Sequence, residues 1–72
     1  MKKIIPLDCR EMEPPEPMLQ VFHLIEQLKE GEQIQMLHRI APYPLYDKLK
    51  ERGCSYRQEG KEHNYTIWIW KE

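Results

Sequence analysis

Tyr65-Thr66-Ile67-Trp68-Ile69-Trp70 is the stretch on which the fold turns. β-Branched and aromatic residues fill it, a composition that suits a pleated surface. Tyr65, Ile67 and Ile69 alternate with Trp68 and Trp70, so both faces of the strand are apolar. Such a strand belongs in the middle of a sheet rather than at its edge. The isoleucine side is assigned inward, which leaves Trp68 and Trp70 on the open face.

Working back from that strand, Gly60–Asn64 reads as a turn of hairpin length and Cys54–Glu59 as a polar strand. Arg57, Gln58 and Glu59 mark it as an edge. Before it, Pro42 and Pro44 open a short helix in which Leu45 and Leu49 sit four apart beside Tyr46. Lys48, Lys50 and Arg52 suit the negative end of its dipole, and Gly53 stops it. Ile34, Met36, His38 and Ile40 alternate with Gln33, Gln35, Leu37 and Arg39, which is strand periodicity. A first helix begins near Pro15, with Glu16 at its positive end. Met18, Val21, Phe22, Ile25 and Leu28 line its inner face, and Gly31 is its expected stop. The helices are thus predicted near residues 15–30 and 42–52. Lys3–Asp8 is the first strand, placed at an edge because Pro6 lacks a ladder donor. Glu11–Pro17 is a proline-rich turn.

The order is β-α-β-α-β-β. Short helices between strands imply right-handed parallel crossovers. The expected architecture is α/β (α+β): a two-layer sandwich over residues 1–72, a single domain. Its four-stranded mixed sheet has order 1-2-4-3, with the last strand antiparallel to the other three and both helices on one face.

Composition excludes several function classes. Eleven basic and twelve acidic residues give a net charge of −1. Non-specific nucleic-acid binding needs a basic surplus, so RNA binding by the sheet face is the weakest of the readings. No apolar run approaches a membrane span. Met1-Lys2-Lys3-Ile4-Ile5-Pro6 has a charged start but no long apolar region, so no signal peptide is expected. Two cysteines are too few for a secreted disulfide framework. A reducing, cytoplasmic setting with two free thiols is the expectation.

The segment Leu7-Asp8-Cys9-Arg10-Glu11-Met12-Glu13-Pro14-Pro15-Glu16-Pro17 carries a resemblance. A strand ending in Leu-Asp, followed by a Pro-x-Pro turn at a helix start, is similar to the opening of the SirA/TusA sulfur carriers. Pro14 stands where those proteins have their sulfur-bearing cysteine, and Glu11 where a glycine is usual. The closer resemblance is to an uncharacterised branch of that superfamily, domain of unknown function 2249. It rests on Leu7-Asp8-Cys9-Arg10, Pro14 to Pro17, and Pro42-Tyr43-Pro44-Leu45. The resemblance implies the fold above and no established activity.

The chemistry follows from the missing thiol. A persulfide carrier needs a thiolate, and proline has none. The expected function is therefore a non-catalytic binding or adaptor module, with no catalytic residue and no cofactor. The alternative is a divergent thiol or sulfur-transfer protein using Cys9. The competing account of Cys9 is a small semi-buried filler, and of Cys54 a core filler. Cys9, His23, His38, Cys54 and His63 are all possible metal ligands, but none has metal-ligand spacing, so no metal site is expected. Cys9 and Cys54 fall at opposite ends of the proposed sheet, too far apart for a disulfide.

Two surfaces remain. Strands one and two, both helix starts and the hairpin all meet at one edge, where ligands favour open α/β sheets. Cys9, Arg10, Pro14, Pro15, His38 and Arg39 are the anion or ligand candidates there, drawing on free amides at the helix starts. Asp8 is expected to pair with Arg10. On the open sheet face, Trp68, Trp70 and Leu37 are the partner-surface candidates. The partner expected there is an unknown protein or a second copy, since an exposed apolar patch marks such a surface.

Overall fold

In the computed structural model, which describes residues 3–71, six elements follow one another. They are β1 (Lys3–Asp8), α1 (Glu16–Gln27), β2 (Glu32–His38), α2 (Tyr43–Glu51), β3 (Cys54–Lys61) and β4 (Asn64–Lys71). Met1 and Lys2, read above as the charged start of the chain, lie outside the described residues. The sheet order is β1-β2-β4-β3. β1 runs parallel to β2, and β4 runs antiparallel to both β2 and β3. This is the mixed, two-layer α+β arrangement expected from the sequence.

Register explains the core. Ile34 pairs with Ile69 and Met36 with Ile67, and all four side chains are fully buried. Cross-strand pairs of this kind are the unit of sheet stability. Val21, Ile25 and Leu28 of the α1 segment, and Leu45 and Leu49 of α2, close over them. The same register turns Gln35, Trp68 and Leu37 to the face without helices. α2 is further fixed by its tyrosines. Tyr46 stacks on Tyr56 with ring centroids 4.1 Å apart, and its hydroxyl donates to Gln58 Oε1 at 2.6 Å. Burial pushes that phenol up to about 12, so it stays a donor.

Three boundaries differ from the sequence reading, each for a local reason. α1 ends at Gln27, ahead of the expected stop. Leu28 leaves the helix in an extended conformation and enters the core at 4% exposure. The Lys29 N–H then donates to Glu32 Oε1, and Gly31, with φ of 85°, serves the turn into β2. β2 ends at His38 because the chain bends at Arg39 and Ile40. The Arg39 amide donates to His38 Nδ1 at 2.9 Å instead of extending the ladder, and Ile40 is left 53% exposed. The hairpin is tighter than five residues. Lys61 pairs with Asn64 around Glu62 and His63, both at positive φ, as a two-residue loop matched to strand twist requires. Gly60 belongs to β3 opposite Tyr65. A Cβ there would fall 2.0 Å from the Asn64 carbonyl oxygen, so no other residue fits.

Candidate functional site

The carboxyl ends of β1 and β2, the starts of α1 and α2, and the Glu62–His63 turn converge on one edge of the molecule. The convergence follows from the crossovers: each helix begins where the preceding strand ends. Between the helix starts lies a cleft of about 210 Å³. Pro14, Pro15, Pro17, Pro42 and Pro44 frame it, and Met18, Met36, Ile40, Ala41 and Leu45 line it with His38. A second groove adjoins it through Pro14, His38 and Ile40, and carries Met12, Glu13, Arg39 and His63.

The prolines shape this site in two ways. They supply its apolar walls, and they remove amides. Pro17 and Pro44 each occupy the first turn of a helix and have no N–H. The Glu16 amide donates to the Glu13 carbonyl, the Tyr43 amide to Ala41 and the Leu45 amide to Pro42. Among the first three residues of each helix, only Met18 keeps an amide with no backbone acceptor. The amides on which an anion site at the helix starts would draw are therefore almost all used.

The six ligand candidates separate. Pro14, Pro15 and His38 line the cleft, and Arg39 lines the adjoining groove. Arg10 lies further out, in a rim depression that also holds Arg39, with Asp8, Glu11, His63 and Asn64. Its guanidinium grips Asp8 through Nε at 3.0 Å and a terminal nitrogen at 2.8 Å. Those hydrogen bonds, with a third from the Arg10 amide, hold the Asp8 carboxyl down at about 2. Cys9 is corrected: it does not reach the rim. Its amide continues the β1 ladder to the Leu37 carbonyl at 2.8 Å, so Ile5, Leu7 and Cys9 share the inner face. Its side chain is 0% exposed. Desolvation, then the charges of Asp8 and Glu16, push the thiol up to about 11.

Cys54 is also buried, at the far end of the sheet beside Lys71, and both cysteines are free. His23 is exposed on α1, 3.4 Å from Gln27. Among the described residues no three His, Cys, Asp or Glu side chains gather as a metal group, and no helix is long and apolar enough to cross a membrane. Trp68, Trp70 and Leu37 share the face without helices, each half-buried. A shallow trough there is lined by Ile4, Gln33, Trp68 and Trp70, with Glu32, Arg57 and Lys71 around it. The Arg57 guanidinium lies 6.0 Å from the Trp68 ring centroid.

Of the residues lining the cleft, the sequence points only to Pro14, Pro15 and His38 as ligand candidates. In the sequence Pro17, Pro42 and Pro44 read as helix-start and family-motif residues and Leu45 as a helix core position, none of them as a ligand contact. The signal was present as a repeated Pro-x-Pro, Pro15-Glu16-Pro17 and Pro42-Tyr43-Pro44, one at each helix start.

The family model described as "Uncharacterized conserved protein (DUF2249)" matches residues 6–71. No curated protein and no solved structure matches the chain.

Proposed function

The chain belongs to the uncharacterized conserved protein family DUF2249, and within that family we propose that it is a small non-catalytic binding or adaptor domain. Its ligand site is the proline-lined cleft between the starts of α1 and α2. The observation that carries this reading is the pairing, in one cleft, of an apolar wall with a single buried hydrogen-bonding residue, His38. A concave apolar site with few convergent polar groups is what small-ligand binding requires.

The finer kinship with SirA/TusA sulfur carriers supports the non-catalytic part. On the Leu7-Asp8 and Pro15-Glu16-Pro17 pattern, Pro14 takes the place of their sulfur-bearing cysteine. Cys9 offers no replacement. A buried thiol with a pKa raised to about 11 carries almost no thiolate at neutral pH, and the thiolate is the nucleophile. The compartment assumed is the reducing cytoplasm, where free thiols persist.

Amide-detected NMR spectra recorded while a panel of small apolar fragments is added test the reading. Shift changes are expected at Met18, Met36, His38, Ala41 and Leu45. In parallel, treatment with a cysteine desulfurase and free cysteine should leave the intact mass unchanged. Shifts gathered only around Trp68 and Trp70, or stable sulfur on Cys9, would overturn it.

A further inference from the structure

Among the described residues His38 is the one buried polar or charged residue, at 7% exposure. Its Nδ1 accepts the Arg39 amide at 2.9 Å and the Ile40 amide at 3.5 Å. An imidazole whose Nδ1 accepts carries its proton, when neutral, on Nε2. Desolvation, then the neighbouring Arg39 charge, lowers its pKa below the ordinary 6.5, so the ring is neutral at pH 7. Nε2–H is then a donor with no acceptor among the described residues. The ring lines both the apolar cleft and the adjoining groove. Nε2 is not closed off from solvent in the free protein, so the donor is open to a ligand, and the groups around the cleft offer it no acceptor.

The charge of the groove selects the matching group. Arg39 lines it and forms no ion pair among the described residues, whereas Arg10 is committed to Asp8. Glu13 lines it too. Arg39 and Glu13 cancel, so a monoanion leaves one negative charge in the groove and a dianion leaves two, which favours the smaller charge. Apart from the Met18 amide, the first helix-start amides that would stabilise a phosphate are already bonded or replaced by proline. The size of the cleft sets the rest. An apolar cavity of about 150 Å³ holds a benzene molecule, and this one is about 210 Å³.

Resting on the cleft as the ligand site, we propose that it takes a small monocarboxylate with an apolar body of single-ring size. The body lies against Pro14, Met18, Met36 and Leu45. One carboxylate oxygen accepts from His38 Nε2–H, and Arg39 attracts its charge from the groove.

Affinities of the full chain for benzoate, toluene and inorganic phosphate, read by NMR, test this. Benzoate should bind at least about tenfold more tightly than toluene, the margin of a charge-assisted hydrogen bond. His38→Phe should abolish that preference. Arg39→Gln, at an exposed position outside the core, should weaken benzoate about threefold to tenfold and leave toluene unchanged. Equal binding of toluene and benzoate, phosphate competing with benzoate, or benzoate unaffected by both substitutions overturns the monocarboxylate while keeping the cleft. If neither benzoate nor toluene perturbs the cleft, the site itself is wrong.

Discussion

The guanidinium of Arg52 lies 4.1 Å from the centroid of the Phe22 ring, joining the end of α2 to the flank of α1. Neither side chain belongs to the sheet, so the contact couples the two helices directly. Arg52→Ala should lower stability by about 0.5–1 kcal/mol, the range of an exposed cation–π contact. A double-mutant cycle with Phe22→Leu in urea checks it. A coupling energy near zero would show that the stacking contributes nothing.

Below neutrality, stability should depend on pH in two separate windows. The folded pKa of His38 is depressed below 6.5, so the unfolded state binds the proton more readily. Its contribution is complete above 6.5 and is lost as the pH falls through the lowered folded value. The groups facing the ring are Arg39, Glu13 and His63 in the groove and Tyr65 across β4. Asp8 acts lower: its contribution is present above 3.8 and is lost as the pH falls through about 2. Urea midpoints across pH, with His38→Phe and Asp8→Asn as controls, check both. His38→Phe should flatten the upper window alone.

Trp68 has a buried indole Nε1 with no hydrogen-bond partner among the described residues. Replacing it by Phe removes both ring area and an unmatched donor, whose burial costs about 1–3 kcal/mol. Trp68→Phe should therefore change stability by no more than about 1 kcal/mol. The adjacent Ile69→Ala should cost about 2–5 kcal/mol, since Ile69 lies fully in the core. A large loss in Trp68→Phe would mean that the donor is matched by bound water.

Both thiols should be inert in the native protein. Cys9 and Cys54 are buried, and desolvation raises both thiols. A chromogenic disulfide reagent at pH 7 should label neither until urea is added, and then both. Rapid native labelling of Cys9 would revive the thiol alternative.

The strand order was legible because Tyr65–Trp70 is apolar on both faces and Arg57–Glu59 is polar on both. Cys9 was legible too, as the continuation of Ile5 and Leu7, but its neighbours Asp8 and Arg10 drew it toward the rim. Other features depend on contacts between distant residues. The end of α1 is set by the burial of Leu28 and by Glu32 capturing the Lys29 amide. Periodicity cannot report either against so strong a stop signal as Gly31. The end of β2 is set by an imidazole accepting a backbone amide, a side-chain choice that no alternation pattern encodes. The cleft existed in sequence only as prolines in two segments, and packing α1 and α2 on one face made it a site.

Pro6 lies in β1, one margin of the sheet, and gives that margin a position with no N–H to offer. β3, the other margin, carries Arg57 and Glu59 joined by an ion pair of 2.8 Å. Missing donors and fixed charges both discourage another chain from adding itself as a fifth strand. The protein is thereby guarded against growing by edge-to-edge polymerisation. Its cleft and its broad face stay open while both margins are closed to such growth.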